Sequence, residues 1–518
     1  MTVEEPLAAN AATRPDEDAV VGHGVRWSWR ELEAVSRRMG ERLASNGAGE
    51  TSRVAILAGD GPATVAAIHA VRRIAGVLVP LNRRGAAPEL GRQVSDARAA
   101  ILLHDQEHAA AAAEAIGQAA GARPRTEALE PLLEREGAGP AEPTRASVMR
   151  DTVDSAALAT ILFTSGTMGR PKGAVLTHGN HFASARAWAG VLRPAPADRW
   201  LACLPFHHVA GLAMVLRSSL WCVPLQLVRG FEPAEIWRAF DEDGISHCSI
   251  LGSMLQRVVE ARGGRSAPAT LRALLVGGEA TPPEWIRAAR RLGLPVMPTY
   301  GATETASGVT ALEPADADRH PGSAGRPLPG VELRILVGDD GSGAQGSRPA
   351  PVGEIGEIAV RGEMVFAGYD GHAEETASVL ADGWLRTGDL GSLDAEGFLT
   401  VADRRDDLIV SGGENVYPAE VEAVLLAHPA VADVAVVGRP DERWGAVPVA
   451  LVVLADPAEV TEAALEAALT EHARSQLAAF KVPAEFHRVD AIPRTANGKL
   501  RRSEARLLST LGSPRRLT

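Results

Sequence analysis

Hydrophobic positions along the chain follow two rhythms. Over residues 29–46 apolar side chains recur at helical spacing, with Leu32, Val35, Met39 and Leu43 on one face. Short apolar runs follow at 53–57 and 76–81, separated by a helix-length segment at 62–75. Strands spaced by such helices predict βαβ units and a parallel sheet. Further runs read as strands at 158–163, 199–206, 271–276 and 295–299, and an Ala-rich segment beyond His178 reads as a helix. Residues 109–150, rich in Ala, Glu and Arg, predict only a surface helix.

A polar Gly/Pro loop at 338–352 precedes alternating strands at 355–360 and 397–401. The cluster Asp403-Arg404-Arg405-Asp406-Asp407 then interrupts hydrophobic pairing and marks a boundary. Beyond it, strands at 408–410, 434–438 and 448–454 and helices at 418–427 and 461–478 predict a small α+β domain. The expected fold class is α/β. A large N-terminal domain of stacked parallel and mixed sheets with helices spans 1–405, and the small domain spans 406–518.

Composition adjusts this picture only slightly. At 518 residues, 46% hydrophobic and 23% charged, the chain is long enough for several domains. A net charge of −12 argues against nucleic acid as a partner. Cys203, Cys222 and Cys248 share no metal or redox spacing and read as buried thiols in a reducing compartment. There is no signal-peptide pattern and no apolar run of membrane-spanning length, so a cytoplasmic location and no membrane partner are expected.

The chemistry centres on Thr164-Ser165-Gly166-Thr167-Met168-Gly169-Arg170-Pro171-Lys172-Gly173. Glycines let backbone N–H groups turn toward a ligand, hydroxyls add neutral donors and Lys172 adds a point charge. Together these make a polyphosphate cradle. The GxxxxGK(S/T) spacing of a P-loop is absent. Other strand ends carry small or polar groups, where parallel sheets place their ligands. Gly278, Glu279 and Ala280 close one strand. Tyr300 offers a ring face, Thr303 a hydroxyl and Glu304 a hard oxygen for magnesium. Asp389, after Gly388, can accept two hydrogen bonds from a ribose diol. His207 and His208 have no further ligand at metal spacing, so they read as a gate or pocket wall. Lys499 follows an Asn-Gly turn in a basic tail.

In this order the motifs resemble the adenylate-forming superfamily of acyl- and aryl-CoA synthetases, adenylation domains and luciferases. Residues 164–173 match its TSGTTGxPKG loop, 300–304 its YGxTE, 383–390 its GWxxTGDL and 493–499 its PRTxxGK tail. The resemblance spans nearly the whole chain. It implies ATP, Mg2+ and CoA as cofactors, with the β- and γ-phosphates held by Thr164, Ser165, Gly166, Thr167, Gly169 and Lys172. Gly278, Glu279, Ala280 and Tyr300 would surround adenine. Thr303 would touch the α-phosphate, Glu304 the magnesium, and Asp389 and Arg404 the ribose.

The resemblance also implies a hinge at Asp406, about which the small domain swings. Lys499 would serve adenylation, and Gly412 and Gly413 the thiol step. His208 would border the acyl pocket, and Trp444 would meet CoA. Met168 departs from the usual Thr or Ser and removes one donor from the loop.

The implied reaction joins a carboxylic acid, probed by apolar candidates such as Val209, Met254 and Val309 as a hydrophobic one, to AMP with release of pyrophosphate, then to the thiol of CoA. Residues 204–227, with Leu216-Arg217-Ser218-Ser219, and residues 299–310 look similar to the succinylbenzoate-CoA ligase branch. A carrier-protein phosphopantetheine is an alternative acceptor. A non-catalytic adenylate binder is a further alternative, prompted only by Met168. A homodimer stays open.

Overall fold

The structure is a computed structural model describing all residues except 1, 86, 122, 131–148, 165–171, 279–280, 339–347, 405–408, 412–413, 417, 442–443, 456–461, 476, 478, 495–499, 511–514 and 517–518. It divides into two compact units, residues 1–333 with 360–385 and residues 334–359 with 386–518. The chain passes between them within the strands Glu332–Val337, Gly356–Arg361 and Trp384–Leu393.

The first unit holds two seven-stranded sheets. In one, Arg53–Leu57, Val77–Pro80, Ile101–His104 and Arg125–Ala128 run parallel, as the βαβ spacing requires. The last two of these strands have no counterpart among the apolar runs counted in the sequence. This sheet then turns antiparallel: Leu158–Thr164 pairs with Lys172–Thr177, which pairs in turn with the two-residue strand Gly368–Tyr369. The other sheet runs parallel through Val296–Pro298, Ala273–Gly277, His247–Leu251, Trp200–Ala202, Leu225–Leu227 and Asp18–Gly22. Val25–Ser28 closes its edge antiparallel. The strand expected over 199–206 is therefore shorter, because Pro205 has no N–H for a ladder and the chain turns into a helix at Val209.

Helix Trp29–Ser45 starts at a capping box between Ser28 and Glu31 and buries Leu32, Val35, Met39 and Leu43, the stripe read from the sequence. Helix Pro62–Arg73 is buried on nearly every side, which fits its run of Ala, Val and Ile.

In the second unit, Val431–Asp441 and Gly445–Leu454 form a long antiparallel pair, joined in parallel by Glu485–Arg488. Alternation divides their side chains. Val434, Val436, Ala450 and Val452 pack with Val421, Leu425, Leu465 and Leu469. Ala435, Val437, Val449 and Leu451 pack with Ile492 and Ala505. Helices thus cover both faces, and the tail read as a basic extension supplies one of them, Arg502–Thr510.

Candidate active site

In the first unit the phosphate-loop motif is the connection of a hairpin, with Thr164 opposite Lys172. Thr164 Oγ1 donates to the Lys172 carbonyl at 3.4 Å, closing the hairpin neck. Gly173 is needed here, since a Cβ would come within 2.6 Å of Ile161 Cγ2. Ser165, Gly166, Thr167 and Gly169 lie outside the described residues, as do Glu279 and Ala280.

The Tyr300–Glu304 segment follows the end of strand Val296–Pro298, beside the end of Ala273–Gly277. Gly277 lets the two ends approach: a Cβ there would sit 2.8 Å from Thr299 Cγ2. Gly278 follows with φ +79°. Tyr300 is buried, while Thr303 and Glu304 are half-buried. Thr303–Thr305 forms a single 3-10 turn. Ala306 and Ser307 then adopt φ of 49° and 102°, uncommon for residues with a Cβ. The chain doubles back so that Ala302 pairs with Ser307 and Gly301 with Gly308.

That reversal carries the nucleotide motif into a second, apolar place. Ser307 Oγ accepts a 2.5 Å hydrogen bond from Arg217, and Ser184 Oγ accepts another at 3.0 Å. The Arg217 guanidinium lies 5.3 Å from the Trp188 ring centre. It is buried, and no carboxylate among the described residues pairs with it. Burial alone pushes its pKa down to about 9. Arg217 is the one charged residue in helix Val209–Trp221, a signal that periodicity gave no reason to read as functional.

His208 is the residue before that helix, half-buried, with its ring 4.2 Å from that of His207. Burial, then His208, Arg83 and Arg84, push His207 down to about 3. The helix can start here only because residue 211 is glycine; a Cβ would lie 2.1 Å from the Pro205 carbonyl oxygen.

Around Lys172 and Glu304 the structure adds partners that spacing rules did not find. Tyr369 donates its hydroxyl to Glu304 Oε1 at 2.8 Å, and Lys172 Nζ lies 5.4 Å from its ring centre. Lys172 Nζ is also 3.7 Å from Glu375. Burial, then Glu304, drives the Tyr369 phenol well above its ordinary pKa, so it remains a donor. The second oxygen of Glu304 makes no hydrogen bond among the described residues. A half-buried carboxylate with one hard oxygen spare suits magnesium, which commonly takes one or two protein carboxylates with water and phosphate.

The second unit holds a separate group of candidates. Asp389 lies in strand Trp384–Leu393, opposite Arg404 of strand Leu399–Arg404. The turn before it is fixed: Gly388 has φ +71°, its N–H reaches Glu357 Oε1, and the Asp389 N–H reaches Thr387 Oγ1. Trp444 is exposed, its N–H held by Asp441. Gly412, Gly413, Lys499 and the hinge Asp406 lie outside the described residues. No helix among the described residues is long and apolar enough to cross a membrane.

Comparison with known proteins agrees with this chemistry. The family described as AMP-binding enzyme matches residues 7–370, and that described as AMP-binding enzyme C-terminal domain matches 420–499. The 2-succinylbenzoate–CoA ligase of Geobacillus kaustophilus is 39% identical over 98% of this chain and 98% of its own. The o-succinylbenzoate CoA synthetase of Bacillus subtilis, solved with its acyl-adenylate intermediate OSB-AMP, superposes with a TM-score of 0.88 at 33% identity, covering 98% of each chain. The same enzyme with ATP and magnesium ion gives 0.87 at 34%, covering 98% of this chain and 100% of that one. The chain belongs to the AMP-binding enzyme family, as an AMP-forming acid–CoA ligase that uses ATP, magnesium and CoA.

Proposed function

We propose that the acid activated by this ligase is 2-succinylbenzoate. One observation supports this beyond the relatives' names: the buried Arg217, a cation with hydroxyls and a ring around it but no carboxylate among the described residues. A buried charge is costly unless something pairs with it. 2-Succinylbenzoate carries two carboxylates, so one can be activated while the other answers Arg217.

Activation brings two anions together, the acid and the α-phosphate, and positive charge placed beforehand lowers the cost. In this reading Lys172 and the 164–173 loop hold the β- and γ-phosphates. Thr303 donates to the α-phosphate, and Tyr300 with Gly278, Glu279 and Ala280 encloses adenine. Asp389 and Arg404 take the ribose. Glu304 would hold magnesium, which supplies charge neutralisation on the phosphates. Lys499 assists adenylate formation. The small domain, 406–518, then turns about Asp406 to bring Gly412, Gly413 and Trp444 to the CoA thiol, while His208 borders the acyl group. The thiol attacks the acyl carbon and AMP leaves.

A cytoplasmic location belongs to the same reading. Carrier-protein loading and a homodimer find no support in the relatives. The test is pyrophosphate release over a panel of acids, followed by thioester analysis with CoA or a phosphopantetheinyl carrier protein. 2-Succinylbenzoate should give the highest kcat/KM, with its mono-acid analogues well below it. An equal response to benzoate would end the assignment.

A further inference from the structure

We propose that Tyr369 is a positioning residue: it aims the Glu304 carboxylate and the Lys172 ammonium at the metal–triphosphate. The proposal rests on the reading of Glu304 as the magnesium carboxylate and Lys172 as a phosphate contact. Neither side chain is held by its own element. Glu304 sits on a single 3-10 turn, and Lys172 at the mouth of a hairpin. Tyr369 touches both, its hydroxyl on Glu304 and its ring facing Lys172.

The placement of Tyr369 is over-determined. Its backbone pairs with Ala174, in the strand that begins at Lys172. Asp370 N–H donates to the Gly173 carbonyl, and Ala367 N–H to that of Val175. Tyr369 N–H donates to Thr376 Oγ1 at 2.9 Å. The Asp370 carboxylate takes a bidentate pair from Arg53 at 2.6 and 2.8 Å. Gly368, with φ +133°, lets the segment pass Thr376, whose Cγ2 a Cβ would meet at 2.6 Å. Phe366 N–H donates to the Glu304 carbonyl, fixing the turn from its backbone side. Phe366 also packs edge-on to Tyr369, centroids 4.9 Å apart. A short segment tied at this many points to both motifs gives Tyr369 one orientation. Glu375, on the following helix, then holds Lys172 only loosely at 3.7 Å, a contact that a triphosphate can replace.

The test is calorimetric binding of a non-hydrolysable ATP analogue, with and without Mg2+, to wild type, Tyr369→Phe, Glu304→Gln and the double variant. Tyr369→Phe keeps the ring and removes the donor. It should weaken the Mg2+-dependent part of analogue binding about tenfold, as for loss of a hydrogen bond to a charged group. AMP binding and the KM for the acid should not change. In the Glu304→Gln background the same substitution should have no further effect on the Mg2+-dependent part. Additive losses, or a Tyr369→Phe protein that binds Mg2+-analogue as wild type does, would overturn the proposal. If Glu304→Gln itself keeps the full Mg2+ effect, the underlying reading of Glu304 fails. If only Tyr369→Phe is silent, the positioning role alone fails. Thermal unfolding of each variant separates misfolding from the binding effect, and Tyr369→Leu, which also removes the ring, should weaken metal-free analogue binding as well.

Discussion

Two arginines in the first unit are equally buried, each about 4% exposed, yet they are answered differently. Arg72, near the end of helix Pro62–Arg73, faces the fully buried Glu5 at 3.8 Å. Its neighbour Arg73 holds Glu33 at 2.6 Å. Among the described residues Arg217, on helix Val209–Trp221, faces Ser184, Ser307 and the Trp188 ring and no carboxylate. Glu5 does double service, since its Oε2 also accepts the N–H groups of Leu7 and Ala8 at the start of helix Pro6–Thr13. The first arrangement sets opposite charges against each other within the chain and ties the N-terminal segment down, although Glu5 Oε1 and Arg72 Nη1 share no hydrogen bond. The second lacks an anion among the described residues, and the proposed substrate brings one. Burial alone therefore does not separate scaffold from site; what answers the charge does.

The largest effect should come from breaking the Glu5–Arg72 ion pair. Glu5→Gln keeps an oxygen for the helix N-terminus but leaves Arg72 uncompensated. Removing one partner of a buried ion pair costs about 3–5 kcal/mol, which urea unfolding at pH 7.5 would read directly. Burial pushes the Glu5 carboxyl up while Arg72 and Arg73 pull it back. A variant as stable as wild type would mean that Glu5 is already protonated in the folded chain and that Arg72 is as unanswered as Arg217.

Arg217→Met should behave in the opposite way. It removes a desolvated charge and keeps much of the apolar stem, so stability should hold or rise. The KM for the acid should climb about 10- to 100-fold, the worth of roughly 1.5–3 kcal/mol for a charged hydrogen bond. The KM for ATP should stay put. A stability loss like that of Glu5→Gln with an unchanged acid KM would make Arg217 one more part of the scaffold.

This contrast was only half legible in the sequence. Periodicity found helix Trp29–Ser45 and the strands around the phosphate loop, because burial on one face leaves a spacing that can be counted. The motif residues Lys172, Thr303 and Glu304 could be named on other grounds: they lie in polar loops that leave apolar strands, and the superfamily resemblance implies their roles. Tyr369 could not, since Gly368–Tyr369 is two residues long and owes its strand geometry to a neighbour far away in sequence. Charge misled once. Asp403 and Arg404 read as an interruption, but the strand Leu399–Arg404 runs through them, because backbone pairing with 389–393 does not depend on side-chain polarity. Arg217 lies in a stretch to which hydrophobic spacing assigned no element, and what surrounds it comes from Ser184 and Ser307, which the fold brings there.

The smallest effect bears on the place where the two surroundings meet. His181 feels both arginines, and its Nε2 lies 2.9 Å from Thr160 Oγ1. Burial first, then His178, Arg72 and Arg217, push His181 down to about 3. An unfolded chain binds a proton there near pH 6.5, so between about 6.5 and 3 the unfolded state holds more protons. The neutral ring therefore contributes stability that is whole above 6.5 and is lost as pH falls. His69 and His178, each also pushed to about 3, act in the same direction, while the raised Glu5 opposes them. His181→Gln keeps a partner for Thr160 but does not titrate. Between pH 7.5 and 5.5 its unfolding free energy should fall about 1.4 kcal/mol less than that of wild type, one histidine's share of the linkage. Adding Arg217→Met should raise the pKa of His181 in an otherwise wild-type chain, a shift that an NMR titration of its ring would read. If Glu5→Gln raised it instead, the positive field on His181 would not come from the arginines as assigned, since an uncompensated Arg72 can only hold the ring neutral more firmly.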